Sequence, residues 1–191
     1  MKKNLFLIAA LVLGSTAVVG SSVSADSTDG KGTASLNIEA GAFTQTGAPS
    51  FSFTTKLNEA LVTTGTDITS TGAKDASQTL DVADYVGTDS GWNVTAQLGV
   101  MADAEVKVSS LDLAAATVKT DSDATASAAT LTPAGAAAPV ATATTGAGAT
   151  TLSYADNGAT LKLGKNTKIA TTSADLTWTA TQGNASAAAF N

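Results

Sequence analysis

Apolar residues recur at every second position along several short stretches of this chain, and that spacing predicts β-strands rather than helices. In Trp92-Asn93-Val94-Thr95-Ala96-Gln97-Leu98 the even positions are apolar and the odd ones polar. Ala174, Leu176, Trp178 and Ala180 alternate with Asp175, Thr177, Thr179 and Thr181 in the same way. Both segments read as half-buried antiparallel strands, one face towards a core and the other towards water. Shorter pairs predict further strands: Leu36 with Ile38, Phe51 with Phe53, Leu80 with Val82, Leu111 with Leu113, and Leu161 with Leu163. Asp156-Asn157-Gly158, set between Leu152-Ser153-Tyr154 and Thr160-Leu161-Lys162-Leu163, predicts a tight hairpin, because Asn-Gly supplies positive backbone angles.

Seven or more short strands in about 166 residues make an all-β fold the economical one: a single antiparallel β-sandwich, immunoglobulin-like, around one core and without a second domain. Residues 122–150 fit this least well. Only Asp123, Leu131 and Val140 among those 29 residues lie outside Ala, Thr, Ser, Gly and Pro, so little apolar area is offered for burial. The segment reads as a low-complexity Ala/Thr/Gly loop with one weak edge strand, or else as two poor strands near 128–132 and 140–144, the loop being favoured.

Composition narrows the chemistry. Ala and Thr dominate, Cys and His are absent, and all ten basic residues are Lys. A disulfide framework, a zinc-thiolate site and imidazole catalysis are thereby excluded, and any metal would need oxygen ligands. No cofactor is expected. Residues 1–25 read as a signal peptide: Lys2 and Lys3 precede an apolar run from Leu5 to Leu13, and Val23-Ser24-Ala25 offers a small-x-small cleavage pattern. A retained membrane anchor is the rival reading of that run, which is short for a span. Residues 26–33 are expected to be flexible and 34–191 to form the folded domain. Removing the leader leaves 8 basic and 16 acidic residues, a net charge of −8, which disfavours nucleic acid and anionic membrane as partners. No Cys follows the apolar run and no sortase-type signal or second apolar span appears, so retention at the cell surface would have to be non-covalent.

Several motifs resemble catalytic ones without completing them. Thr88-Asp89-Ser90-Gly91 has the setting of a nucleophilic serine, but no His exists to activate it and neither Lys74 nor Lys107 is placed to substitute. Gly164-Lys165-Asn166-Thr167 resembles the end of a phosphate loop, with Ala159 and Asn166 where Gly and a hydroxyl residue are required. Asp81, Asp84 and Asp89, and separately Asp121 with Asp123, could hold Ca²⁺ or cleave a glycoside, although solvated loop charge is the plainer reading. The sequons at Asn93 and Asn184 carry meaning only in a host that glycosylates them. The expectation is a protein that is not an enzyme.

Trp92 and Trp178, the only tryptophans, each occupy an alternating strand, and core packing is the first expectation for both rings; a sugar-stacking surface is the alternative. The order Tyr85-Val86-Gly87-Thr88-Asp89-Ser90-Gly91-Trp92-Asn93-Val94, followed much later by Leu176-Thr177-Trp178-Thr179-Ala180, resembles the WxL domain of Gram-positive cell-surface proteins. Val94 and Ala180 stand where that family usually has Leu, and Thr172 and Asn184 stand where it has Tyr and Pro. Since Val94 and Ala180 are one pleat step from their tryptophans, the fold demands an apolar side chain there more than it demands Leu; a neighbouring side chain is expected to compensate for the small Ala180. The resemblance implies a secreted protein of the cell surface that binds peptidoglycan of the cell wall non-covalently, with Trp92, Asn93, Val94, Leu176, Thr177 and Trp178 as the binding motif. It also implies, as the alternative, a structural subunit of a surface complex held by a membrane-anchored protein partner.

Overall fold

Twelve strands and one short helix occupy the residues described by the computed structural model, 34–71 and 78–183. The expected leader over 1–25 and the expected flexible stretch over 26–33 lie outside the described residues. The elements run β1 (Phe43–Thr46), α1 (Glu59–Thr63), β2 (Thr66–Thr69), β3 (Thr79–Asp84), β4 (Trp92–Leu98), β5 (Val108–Leu113), β6 (Thr117–Thr120), β7 (Thr125–Ala126), β8 (Ala129–Leu131), β9 (Ala138–Ala143), β10 (Gly148–Ser153), β11 (Ala159–Leu163) and β12 (Leu176–Gln182). All of these elements belong to one compact unit that begins at Ile38.

The fold is all-β, antiparallel and sandwich-like, with its strands divided among three four-stranded sheets. In the first sheet the order is β1-β3-β10-β6, in the second β2-β11-β5-β8, and in the third β12-β4-β9-β7. β4 shows the alternation most fully. Trp92, Val94, Ala96 and Leu98 are buried, while Asn93 and Thr95 are half-buried and Gln97 is exposed. β3 and β10 add Leu80, Val82 and Leu152 to the same core, β5 adds Leu111 and Leu113, and β8 and β9 add Leu131 and Val140. Burying a Leu or Val side chain in this way contributes roughly 1.5–3 kcal/mol each.

Three expectations are corrected. Residues Leu36 and Ile38 form no strand and stand 84% and 82% exposed. Phe51 and Phe53 also lie in irregular chain, half-buried against the core, where the Phe51 ring meets Tyr154 edge-on at 5.9 Å. The Asn157-Gly158 turn is not a hairpin: β10 is flanked on both edges by β3 and β6, and β11 by β2 and β5, so the turn carries the chain from one sheet to another. It is closed by the Gly158 N–H donating to the Ala155 carbonyl at 2.8 Å. Ser70 fixes it from β2's end, donating from Oγ to the Asp156 carbonyl at 2.6 Å and accepting from the Ala159 N–H at 3.2 Å.

The third correction concerns residues 122–150, which form β7, β8, β9 and the start of β10 rather than a loop. β9 is an interior strand, paired with β4 on one edge and β7 on the other. Small side chains serve here because Ala141 and Ala143 are almost fully buried beside Trp92 and Val94, whose bulk fills the layer. The register shifts between Val94 and Thr95, where β9 accommodates an extra residue. The short helix α1, which the period-two reading leaves out, starts at an Asn58 cap whose Oδ1 accepts the Leu61 N–H at 3.0 Å.

Candidate functional site

The two tryptophan motifs, far apart along the chain, fold into one two-stranded antiparallel ribbon. β4 and β12 pair over their full lengths, so that Leu176 opposes Leu98, Trp178 opposes Ala96, Ala180 opposes Val94 and Gln182 opposes Trp92. The pleat then sorts the motif residues by face. Trp92, Val94 and Trp178 point into the core and are buried; Leu176 is half-buried on the same side. Asn93 and Thr177 point the other way, Asn93 half-buried and Thr177 exposed.

Each indole nitrogen is tied to a loop carbonyl. Trp92 Nε1–H donates to the Gly146 carbonyl at 3.2 Å and Trp178 Nε1–H to the Pro49 carbonyl at 2.9 Å. Gly146 lies in the β9–β10 turn with φ +66°, and a Cβ there would lie 2.8 Å from the Trp92 ring. That turn is in turn held by Asp123, whose carboxylate accepts backbone N–H bonds from Thr144, Thr145 and Gly146 at 3.1–3.5 Å. The Thr144 side chain, together with those backbone donors, lowers the Asp123 pKa to about 2. The other tryptophan packs at 5.3 Å from the ring of Tyr154, whose hydroxyl is buried without a hydrogen-bond partner and is pushed up to about 12 by that burial.

The free edge of β12 is met by a side chain. Gln45 of β1 accepts the Ala180 N–H at Oε1, 2.6 Å away, and donates from Nε2 to the Trp178 carbonyl at 3.4 Å. Ala180 itself is half-buried and packs against the border of the core. Gln45, Pro49, Asp123 and Gly146 all support the tryptophans, and none carries a local sequence signal of that role.

The catalytic-looking motifs do not assemble. Asp81 and Asp84 lie on opposite faces of β3, as a spacing of three on a strand requires. Asp81 accepts the Thr151 hydroxyl at 2.5 Å, while the buried Asp84 accepts the Val86 N–H at 3.1 Å. Ser90 is bonded to Thr88 at 2.9 Å, Oγ to Oγ1, in a loop with Asp89 at φ +48°. Gly164 to Thr167 is a turn with Asn166 at φ +63°, its Thr167 hydroxyl donating back to the Gly164 carbonyl at 2.8 Å. Among the described residues no three His, Cys, Asp or Glu side chains gather as metal ligands would, and no helix is long and apolar enough to cross a membrane. Lys74 and Asn184 lie outside the described residues. Thr172 accepts the Asp103 N–H at 2.9 Å.

A cleft of about 920 Å³ opens where the segments around Phe51 and Ile169 cross the second sheet, lined by Phe53, Ile68, Met101 and Leu161 among others. Compared with family models, curated proteins and solved structures, the chain matches none.

Proposed function

We propose that this chain is a small single-domain protein of the WxL type, secreted and non-catalytic, that associates non-covalently with the peptidoglycan of the bacterial cell wall. The observation that carries the reading is the in-register pairing of β4 with β12, which makes one structural unit of the two segments resembling that family. Within the unit the tryptophans are framework: their rings are buried in the core beneath the ribbon. Contact with a wall polymer then falls to the outward positions of the same ribbon, Asn93 and Thr177 among the motif residues. Hydrogen bonding is the available mode of recognition, since the strands of the ribbon carry no charged residue.

The test is to mix the protein with isolated cell-wall sacculi and sediment them. Co-sedimentation is expected, and recovery of all the protein in the supernatant counts against the reading. A second reading, a subunit held at the surface by a membrane-anchored protein partner, is favoured by the partly apolar cleft of about 920 Å³. In that case washed cells lacking the partner lose the protein.

A further inference from the structure

The third sheet differs from the other two in charge. None of the residues in β12, β4, β9 and β7 is Asp, Glu or Lys. The first sheet carries Asp81, Asp84 and Lys119, and the second carries Asp67, Asp112 and Lys162. Charged residues make up 14% of the chain, so the strands of this sheet are set apart from their surroundings.

Its outward face is a grid of hydroxyls and carboxamides. The registers align Thr181, Asn93, Thr142 and Thr125 in one row across all four strands, Thr179 with Thr95 and Pro139 in the next, and Thr177 with Gln97 in the third. Thr177, Thr179, Thr181, Thr142 and Thr125 are exposed. Rows of this kind are spaced about 6.8 Å along a strand and about 4.8 Å between strands. In the first row Asn93 is half-buried between Thr181 and Thr142, so the exposed hydroxyls on either side of it form the contact positions of that row.

We infer that this face is the contact surface for the uncharged glycan backbone of the wall polymer, an inference that rests on the reading proposed above. Three properties point to a neutral polyhydroxy chain. The strands of this face carry no charge, with Asp175 and Asp123 standing only at its ends, so a neutral partner laid across the threonine rows meets no ion-desolvation cost there. Each threonine presents a hydroxyl that both donates and accepts beside a methyl group, matching the mixed hydroxyl and C–H surface of a sugar ring. Threonine is also stiff at χ1, so a grid of threonines on paired strands loses little side-chain freedom when it is covered. The net acidity of the rest of the chain disfavours the anionic polymers of a wall, leaving the glycan strands as the component this face fits.

The test compares binding of the parent protein, Thr179→Glu, the double variant Thr177→Val/Thr179→Val, and Thr44→Glu on the first sheet, using intact sacculi and chitin, a neutral N-acetylglucosamine polymer that carries no peptide. Melting curves for each protein establish that it is folded. The parent is expected to bind both materials, Thr44→Glu to bind like the parent, Thr179→Glu to bind both at least tenfold more weakly, and the Val variant several-fold more weakly with its strands intact. If folded Thr179→Glu and the Val variant hold intact sacculi as the parent does, another surface makes the contact; this inference falls while wall association stands. Binding of the parent to intact sacculi but not to chitin also overturns it, pointing to the peptide-bearing part of the wall. A parent that binds neither material removes the wall reading and this inference together.

Discussion

Gln45 on β1 and Ala180 on β12 are joined by a 2.6 Å hydrogen bond in which a side-chain amide stands in for a neighbouring strand. Its other end reaches the Trp178 carbonyl, so one residue serves a donor and an acceptor of the backbone as a paired strand would. Replacing Gln45 by Leu keeps its bulk and leaves both groups unpaired in a half-buried seam. The expected loss is about 1–3 kcal/mol in urea denaturation, with faster hydrogen exchange at the Ala180 amide.

The tryptophans are expected to act on stability. Trp178→Ala removes a buried ring in contact with Tyr154 and should cost about 3–5 kcal/mol, a large part of a typical 5–15 kcal/mol. Trp178→Phe retains much of the packing but orphans the Pro49 carbonyl, and an intermediate loss is expected. Denaturant titrations of the two variants check the order; an unchanged transition for Trp178→Ala would make the ring a surface contact.

Acid should loosen the β9–β10 turn. The Asp123 carboxyl has a pKa of about 2 in the folded chain, below the usual 3.8, because the turn hydrogen-bonds its ionised form. Between about pH 4 and pH 2 the unfolded chain takes up a proton that the folded chain resists. Asp123 therefore contributes stability that is fully present above about pH 4 and is lost as pH falls through 2. Thermal melts from pH 6 to pH 2 are expected to show a smaller fall for Asp123→Asn than for the parent.

Two glycines before β4 should respond differently to alanine. Both have positive φ, +75° at Gly87 and +67° at Gly91, but a Cβ meets open space at Gly87 and the carbonyl oxygens of Ala143 and Thr144 at Gly91. Gly87→Ala is expected to cost about 1 kcal/mol, the backbone penalty alone. Gly91→Ala adds a clash against an interior strand and should cost about 3 kcal/mol or more. Comparing the melting temperatures of the two separates conformational strain from packing.

The strands legible in the sequence are those whose burial is decided by their own side chains. β4 and β12 alternate because each has one face in the core and one turned away from it, and β3 follows the same rule over a shorter span. Partner choice is not local. Asn157-Gly158 carries a hairpin signal, yet both edges of β10 and of β11 are filled by strands from elsewhere in the chain, and the turn joins two sheets instead. β9 is hidden for a different reason. Its alanines offer little area, and they suffice only because Trp92 supplies the volume beside them. Of the site, the tryptophans and their faces follow from alternation, whereas Gln45, Asp123 and Gly146 act across long sequence separations and leave no periodic trace.

A sheet without charges lacks the usual defence against joining edge to edge with copies of itself, because lysines and inward-pointing charges are what blunt exposed strands. Here both edges are closed by other means. On one side the final strand, β7, is two residues long and gives an intruding strand almost no ladder to extend. On the other, the amide of Gln45 occupies backbone groups of β12 that a foreign strand would need. The same glutamine that steadies the fold thus keeps the edge of a neutral, threonine-rich sheet from becoming a template for fibres.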